Sequence, residues 1–178
     1  MYKELSILKL FFEDPLAEFH LREVARLTNS NHMTVRSHLN KLTKENILIK
    51  KPGRLFTTYS TNANSQKYLN LKLYYNLEKL RESNLIKDLE YFYDYPVIIL
   101  FGSYSKATNV KESDIDIAVI TNIRKEFKTD KYKKILQREV NLRLFQKKEL
   151  RIMRLKNPEL INSLCNGIVL SGQLVIVL

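Results

Sequence analysis

The stretch that most constrains this chain lies between residues 97 and 120, where two apolar runs are separated by a glycine, a serine and a pair of aspartates. Val97-Ile98-Ile99-Leu100-Phe101 is unbroken by any polar residue, which predicts a buried strand. It runs straight into Gly102-Ser103, and ten residues further on comes Asp114-Ile115-Asp116-Ile117-Ala118-Val119-Ile120. Side chains two apart on a strand share a face, so Asp114 and Asp116 project together while Ile115, Ile117 and Val119 enter the core. Two unpaired carboxylates side by side repel, and a divalent cation is the simplest remedy; Mg²⁺ is typically held by one or two carboxylates together with substrate phosphates. Gly102 lets the backbone approach a phosphate closely, and Ser103 offers a hydroxyl and a main-chain N–H at an expected helix start.

The string FGSYSKATNVKESDIDIAV, an apolar strand followed by Gly-Ser, ten residues and Asp-x-Asp, resembles the nucleotidyltransferase superfamily of polymerase-beta type, in its minimal, antitoxin-like branch. The likeness covers about residues 85–172. It implies a mixed sheet with flanking helices, and a Mg²⁺- or Mn²⁺-bound nucleoside triphosphate held by Gly102, Ser103, Asp114 and Asp116. It further implies transfer of a nucleotidyl group to a protein, RNA or small-molecule acceptor, and a toxin-like protein partner. The family pattern has a third carboxylate on a neighbouring strand. Here the candidate strand is 140–145, and Asn141 stands at the expected place. An amide can accept a metal bond but brings no charge and no general base. Glu139 shares the strand face with Asn141 and is the alternative if the strand begins early enough. Ala107 stands where the family usually has a glycine after the Gly-Ser loop. Lys106 is the cation nearest in sequence that could neutralise a triphosphate. Residues 124–156 carry thirteen Lys or Arg against four acids, most of them expected as solvated surface.

The first third has a different pattern. Leu5, Leu8 and Phe12 repeat at helical spacing over 3–13 before Asp14-Pro15, and residues 21–28 turn Val24, Ala25 and Leu27 inward. After the turn residues Thr28-Asn29-Ser30-Asn31, a helix over 32–45 carries Val35, Leu39 and Leu42 on its inner stripe. Its outer side presents Thr34, Ser37, Asn40, Lys41 and Lys44, with Arg36 on the flank. Residues 47–51 and 55–60 flank Pro52-Gly53-Arg54, the pattern of two strands joined by a reverse turn. The segment LREVARLTNSNHMTVRSHLNKLTKENILIKK resembles the winged helix-turn-helix family, the likeness spanning about residues 2–62. The resemblance implies that the 32–45 helix enters the major groove of double-stranded DNA and the wing touches phosphate. Charge agrees, with six basic residues and one acid between 29 and 60. Asn40 and Arg36 suit base edges, and Lys50, Lys51 and Arg54 suit phosphates. The bland alternative is a solvated face on a winged fold used for protein contacts.

Residues 64–82 lack Gly and Pro and repeat Leu69, Leu73, Leu77 and Leu80, and residues 85–93 place Leu85, Ile86, Leu89 and Phe92 on one side. This apolar stripe is either a homodimer seam or ordinary packing. Near the C-terminus, Asn157-Pro158 opens a helix with Leu160, Ile161 and Leu164 inward, and Ile168-Val169-Leu170 returns as a strand.

Composition excludes several classes. Thirty Lys and Arg against nineteen Asp and Glu give a net charge of +11, suited to polyanionic partners. One cysteine, Cys165, allows no internal disulfide and reads as core, three histidines leave little for structural zinc, and no apolar run approaches membrane-spanning length. A cytoplasmic protein is expected. The expected architecture is α+β, in three parts: a winged helix-turn-helix domain over 1–63, a helical connector over 64–94 and a nucleotidyltransferase-like domain over 95–178. Two functions stay open. Either the chain is a DNA-binding nucleotidyltransferase, or it is a transcriptional regulator whose degenerate transferase domain senses nucleotide or binds a partner.

Overall fold

The computed structural model describes residues 2–53 and 56–174. The chain is a mixture of helices with an antiparallel and a mixed sheet, divided into two compact units, residues 1–75 and 76–178. The segment 64–94, expected as a connector of its own, is shared between them.

In the first unit, α1 (Tyr2–Glu13), α2 (Leu21–Leu27) and α3 (His32–Lys44) pack with strands β1 (Phe19–His20), β2 (Leu48–Lys51) and β3 (Thr58–Thr61). The core is built from Ile7, Leu8, Phe11 and Phe12 of α1, Val24 and Ala25 of α2, and Val35, Leu39 and Leu42 of α3. Asn31 caps α3, its side-chain oxygen accepting from the Met33 N–H at 2.8 Å. Leu27, expected inward, is half exposed. The strand order is β1-β3-β2, all antiparallel. Strand β1 has no signal in the sequence, because two residues are too few for a period. The hairpin differs from expectation. Lys51 pairs with Thr58, and β3 begins there, so Phe56 and Thr57, expected in the strand, lie outside it. Pro52 has no N–H to extend the ladder, and the Gly53 N–H turns to the Phe56 carbonyl at 3.1 Å. Arg54 and Leu55, called wing residues by the sequence pattern, lie outside the described residues.

Helix α4 (Gln66–Glu82) contains the boundary between the units. Its buried positions are Tyr68, Lys72, Asn76 and Leu80, so of the expected leucine stripe only Leu80 is buried, and Leu69, Leu73 and Leu77 are half-buried.

The second unit follows with α5 (Leu85–Phe92), β4 (Val97–Phe101), α6 (Gly102–Ser105), β5 (Ile115–Ile120), α7 (Asp130–Leu136), β6 (Val140–Phe145), α8 (Lys147–Lys156), α9 (Pro158–Cys165) and β7 (Ile168–Ser171). Among the described residues its sheet runs β6-β5-β4-β7. Strand β4 is antiparallel to β5 and β7, and β5 is parallel to β6. One face buries Ile98, Leu100, Ile115, Ile117 and Val119 with Leu85, Leu89 and Tyr132. The other buries Ile99, Phe101, Ala118 and Ile120 with Phe145 and Leu164. This two-sided burial is why β4 and β5 read as continuous apolar runs. Cys165, expected in the core, is exposed at the end of α9. Of the terminal apolar run 174–178, residues 175–178 lie outside the described residues. Among the described residues, no helix is long and apolar enough to cross a membrane.

Helices α5 and α7 are tied by Asp88, which accepts from Lys131 at 2.7 Å and from the Tyr132 hydroxyl. The Lys131 bond first, and then the tyrosine, hold the Asp88 carboxyl below its ordinary range. A carboxyl lowered in the folded state contributes stability that is present above the unfolded value of about 4 and lost as pH falls through the folded value. The pair is partly exposed, so the effect is small. Asp88→Asn is expected to lower the melting midpoint by a few degrees near neutral pH, and by progressively less below about pH 4, in circular-dichroism melts across pH.

Candidate functional site

The end of β4 sets the geometry of the acidic site. Phe101 pairs with Asp116 across the β4–β5 ladder, and the chain must turn sharply away at the next residue. Gly102 does so at φ +71°, and a Cβ there would stand 2.5 Å from the Asp116 Oδ2. Only glycine tolerates both the left-handed backbone and that approach. The turn is locked by the Ser105 hydroxyl donating to the Gly102 carbonyl at 2.9 Å, and by the Thr108 N–H donating to the Ser103 carbonyl at 3.0 Å. Ala107, where a glycine was expected, is in the left-handed region at φ 56° and is buried. A side chain there costs of order 1 kcal/mol relative to glycine.

A polar anchor supports this loop from beneath. Asn76 on α4, 2% exposed, donates its amide N–H to the Tyr104 carbonyl at 3.1 Å and to Asn109 Oδ1 at 2.9 Å. Asn109 is buried too. The sequence offered no signal for this residue, because an asparagine inside a leucine-rich helix looks like a surface position.

The carboxylates meet a third side chain from the neighbouring strand. Parallel pairing puts Asn141 of β6 in register with Asp116. Its amide Nδ2 donates to Asp114 Oδ2 at 3.2 Å and, at the long limit, to Asp116 Oδ1 at 3.5 Å. Asp114 and Asn141 are exposed and Asp116 is half-buried, so the cluster opens to solvent. Glu139 does not join it. Strand β6 begins at Val140, and the Glu139 carboxylate is ion-paired with Lys133 on α7, whose ammonium it holds above its usual pKa. Among the described residues no three Asp, Glu, His or Cys side chains gather to hold a metal. Lys106 is exposed at the end of α6. Arg143, two residues past Asn141, shares its strand face and lies over the Phe101 ring at 5.7 Å. Counting by two from Asn141 would have found it.

The candidate DNA-contacting residues described in the first unit do not share one place. Arg36 and Asn40 of α3 and Lys50 of β2 line an open cavity of about 850 Å³. Arg22 and Arg26 of α2, not foreseen from the sequence, line it as well. Thr34, Ser37, Lys41 and Lys44 lie elsewhere on α3, Thr34 half-buried and the others exposed. Lys51, expected on phosphate, is bonded to Glu18 at 2.5 Å, and Glu18 also accepts from the Thr58 hydroxyl. The lysine first and the threonine second lower the Glu18 pKa.

With the Gly-Ser turn, the paired aspartates and the β6 neighbour in place, comparison with known families is informative. The polymerase beta nucleotidyltransferase family model matches residues 83–177, more than half of the chain, and the protein belongs to that family. A search of curated proteins finds no matching relative.

Gly102→Ala is expected to destabilise the protein by about 1–3 kcal/mol in urea unfolding, since the strained backbone and the Asp116 contact must both be accommodated. Asn76→Ala is expected to cost about 1–3 kcal/mol in the same assay, because it removes two hydrogen bonds made by a buried amide, to the Tyr104 carbonyl and to Asn109 Oδ1.

Proposed function

We propose that the second unit binds a nucleoside triphosphate with one divalent cation, Mg²⁺ or Mn²⁺, and that it lacks efficient nucleotidyl transfer. The observation that carries this reading is Asn141, in register with Asp116 and bonded through its amide to both aspartates. Two hard, solvent-open carboxylates suit one Mg²⁺ whose remaining positions are taken by phosphate and water. Asp114 and Asp116 would hold the ion, whose chemistry is to neutralise charge on phosphate oxygens. Gly102 lets the triphosphate approach the backbone, Ser103 supplies donors, and Arg143 offers a planar fork for phosphate. An amide accepts no proton at neutral pH, so Asn141 cannot deprotonate an acceptor hydroxyl, and Glu139 is held by Lys133.

The first unit supports a winged helix-turn-helix that binds double-stranded DNA. Its element order, α1-β1-α2-α3-β2-β3, agrees with that fold. Arg22, Arg26, Arg36 and Lys50 make no ion pair among the described residues and converge on one surface with Asn40. Arg36 and Asn40 are suited to base edges, and the remaining cations to phosphates. The combined reading is a DNA-binding regulator carrying a nucleotide-binding domain of transferase ancestry.

Equilibrium dialysis with a non-hydrolysable triphosphate is expected to show Mg²⁺-dependent binding, weakened at least about tenfold by EDTA or by Asp116→Asn. With labelled ATP, CTP, GTP and UTP, the wild type is expected to give little transfer, and Asn141→Asp to raise it by about a hundredfold or more. Robust transfer by the wild type would establish the enzymatic alternative.

For the first unit, gel-shift titrations across salt are expected to show a steep loss of duplex binding as salt rises. Arg36→Ala and Lys50→Ala should each weaken binding, and Lys50→Ala should flatten the salt slope by about one. Absence of any duplex binding at low salt would overturn the DNA reading.

A further inference from the structure

The cavity of the first unit combines two chemistries that a duplex backbone would not use together. Its lining includes Arg22 and Arg26 of α2, one helical turn apart, together with Arg36 of α3 and Lys50 of β2. All four are exposed and none is ion-paired among the described residues. The acid in the lining, Glu23, turns its carboxylate to the His20 N–H at the start of α2. With four cations against that one carboxylate, the lining keeps an excess of positive charge for a ligand.

Three rings, His20, Phe56 and Tyr59, share the lining with Leu21, Asn40 and Thr57. Phe56 is 61% exposed and stands edge-on to the His20 ring, with centroids 5.4 Å apart. Tyr59, buried in β3, also lines the cavity, and burial pushes its phenol up while Arg36 pulls it down. Phosphate contacts employ cations alone and leave a ring face idle. A nucleobase stacked on a ring, with its phosphate among arginines, employs both, which is how single strands are gripped without duplex geometry. The open space of about 850 Å³ is of the size of a small-ligand cleft.

We propose that this cavity receives one unpaired nucleotide, its base against Phe56 and its phosphate among Arg22, Arg26 and Lys50. The proposal rests on the DNA-binding reading of this unit and deepens it. An unpaired nucleotide can come from a nucleic-acid strand or from solution, and the two sources are separable.

Fluorescence anisotropy would compare a blunt duplex with the same duplex carrying one central unpaired base, with AMP as competitor. The full-length protein is kept in EDTA, so that the aspartate pair has no cation with which to hold nucleotide. The bulged duplex is expected to bind about tenfold tighter than the blunt one, and Phe56→Ala to abolish that difference while leaving blunt-duplex affinity unchanged. Lys44→Ala, outside the cavity, should weaken both duplexes alike. Displacement of the bulged duplex by AMP, lost in Phe56→Ala, would assign the pocket to free nucleotide as well; failure of AMP to compete, with the bulge preference intact, would assign it to strands. Equal binding of the two duplexes, or a preference that survives Phe56→Ala, overturns the proposal even where the duplex reading holds. Phe56-dependent binding of the bulged strand without any blunt-duplex binding would support the pocket and overturn the duplex reading instead. Phe56 is exposed, so its truncation does not threaten the core.

Discussion

The contact between Gly102 and Asp116 governs the second unit. Because Phe101 and Asp116 are cross-strand partners, the residue after Phe101 must pass within 2.5 Å of a carboxylate oxygen wherever it carries a Cβ. Glycine is the solution, and its left-handed backbone turns the chain into the short α6 segment. The following loop depends on that turn, and Asn76 fixes it from a helix outside the family-matched region. A loop whose backbone is anchored by buried hydrogen bonds is preorganised, which is what close approach to a phosphate requires.

Much of this was legible in the sequence because the relevant signals are local. An apolar run with no polar break could only be a strand covered on both sides, and alternation from Asp114 to Val119 assigned each side chain to a face. The helices of the first unit declared themselves through Val24, Val35, Leu39 and Leu42. What remained hidden depended on pairing or on polar burial. Strand β1 exists only because Phe19 and His20 find partners on β3. Strand β3 starts at Thr58 and not at residue 55, since the Lys51–Thr58 register is set by the whole sheet. On α4, Lys72 and Asn76 occupy buried positions, so counting leucines selected a neighbouring stripe.

The site was half legible for the same reason. Asp114, Asp116 and Gly102 follow from one ladder read by twos. The place of Asn141 opposite Asp116 requires β6 to lie parallel to β5 in a particular register, which the family resemblance suggested and the strand pairing supplies. Glu139, which shares the strand face, was the substitute if the strand began early enough. It loses because β6 begins one residue later and Lys133 offers a nearer countercharge. An amide therefore stands in register with Asp116 and donates to both aspartates.

The most direct test is a crystal of the protein soaked with Mn²⁺ and a non-hydrolysable nucleoside triphosphate. An anomalous peak between Asp114 and Asp116, with one ion present and the phosphates against the Gly102-Ser103 backbone, is the predicted result. Ordered triphosphate elsewhere, or an aspartate pair still capped by Asn141 with no manganese at saturating concentration, would contradict it.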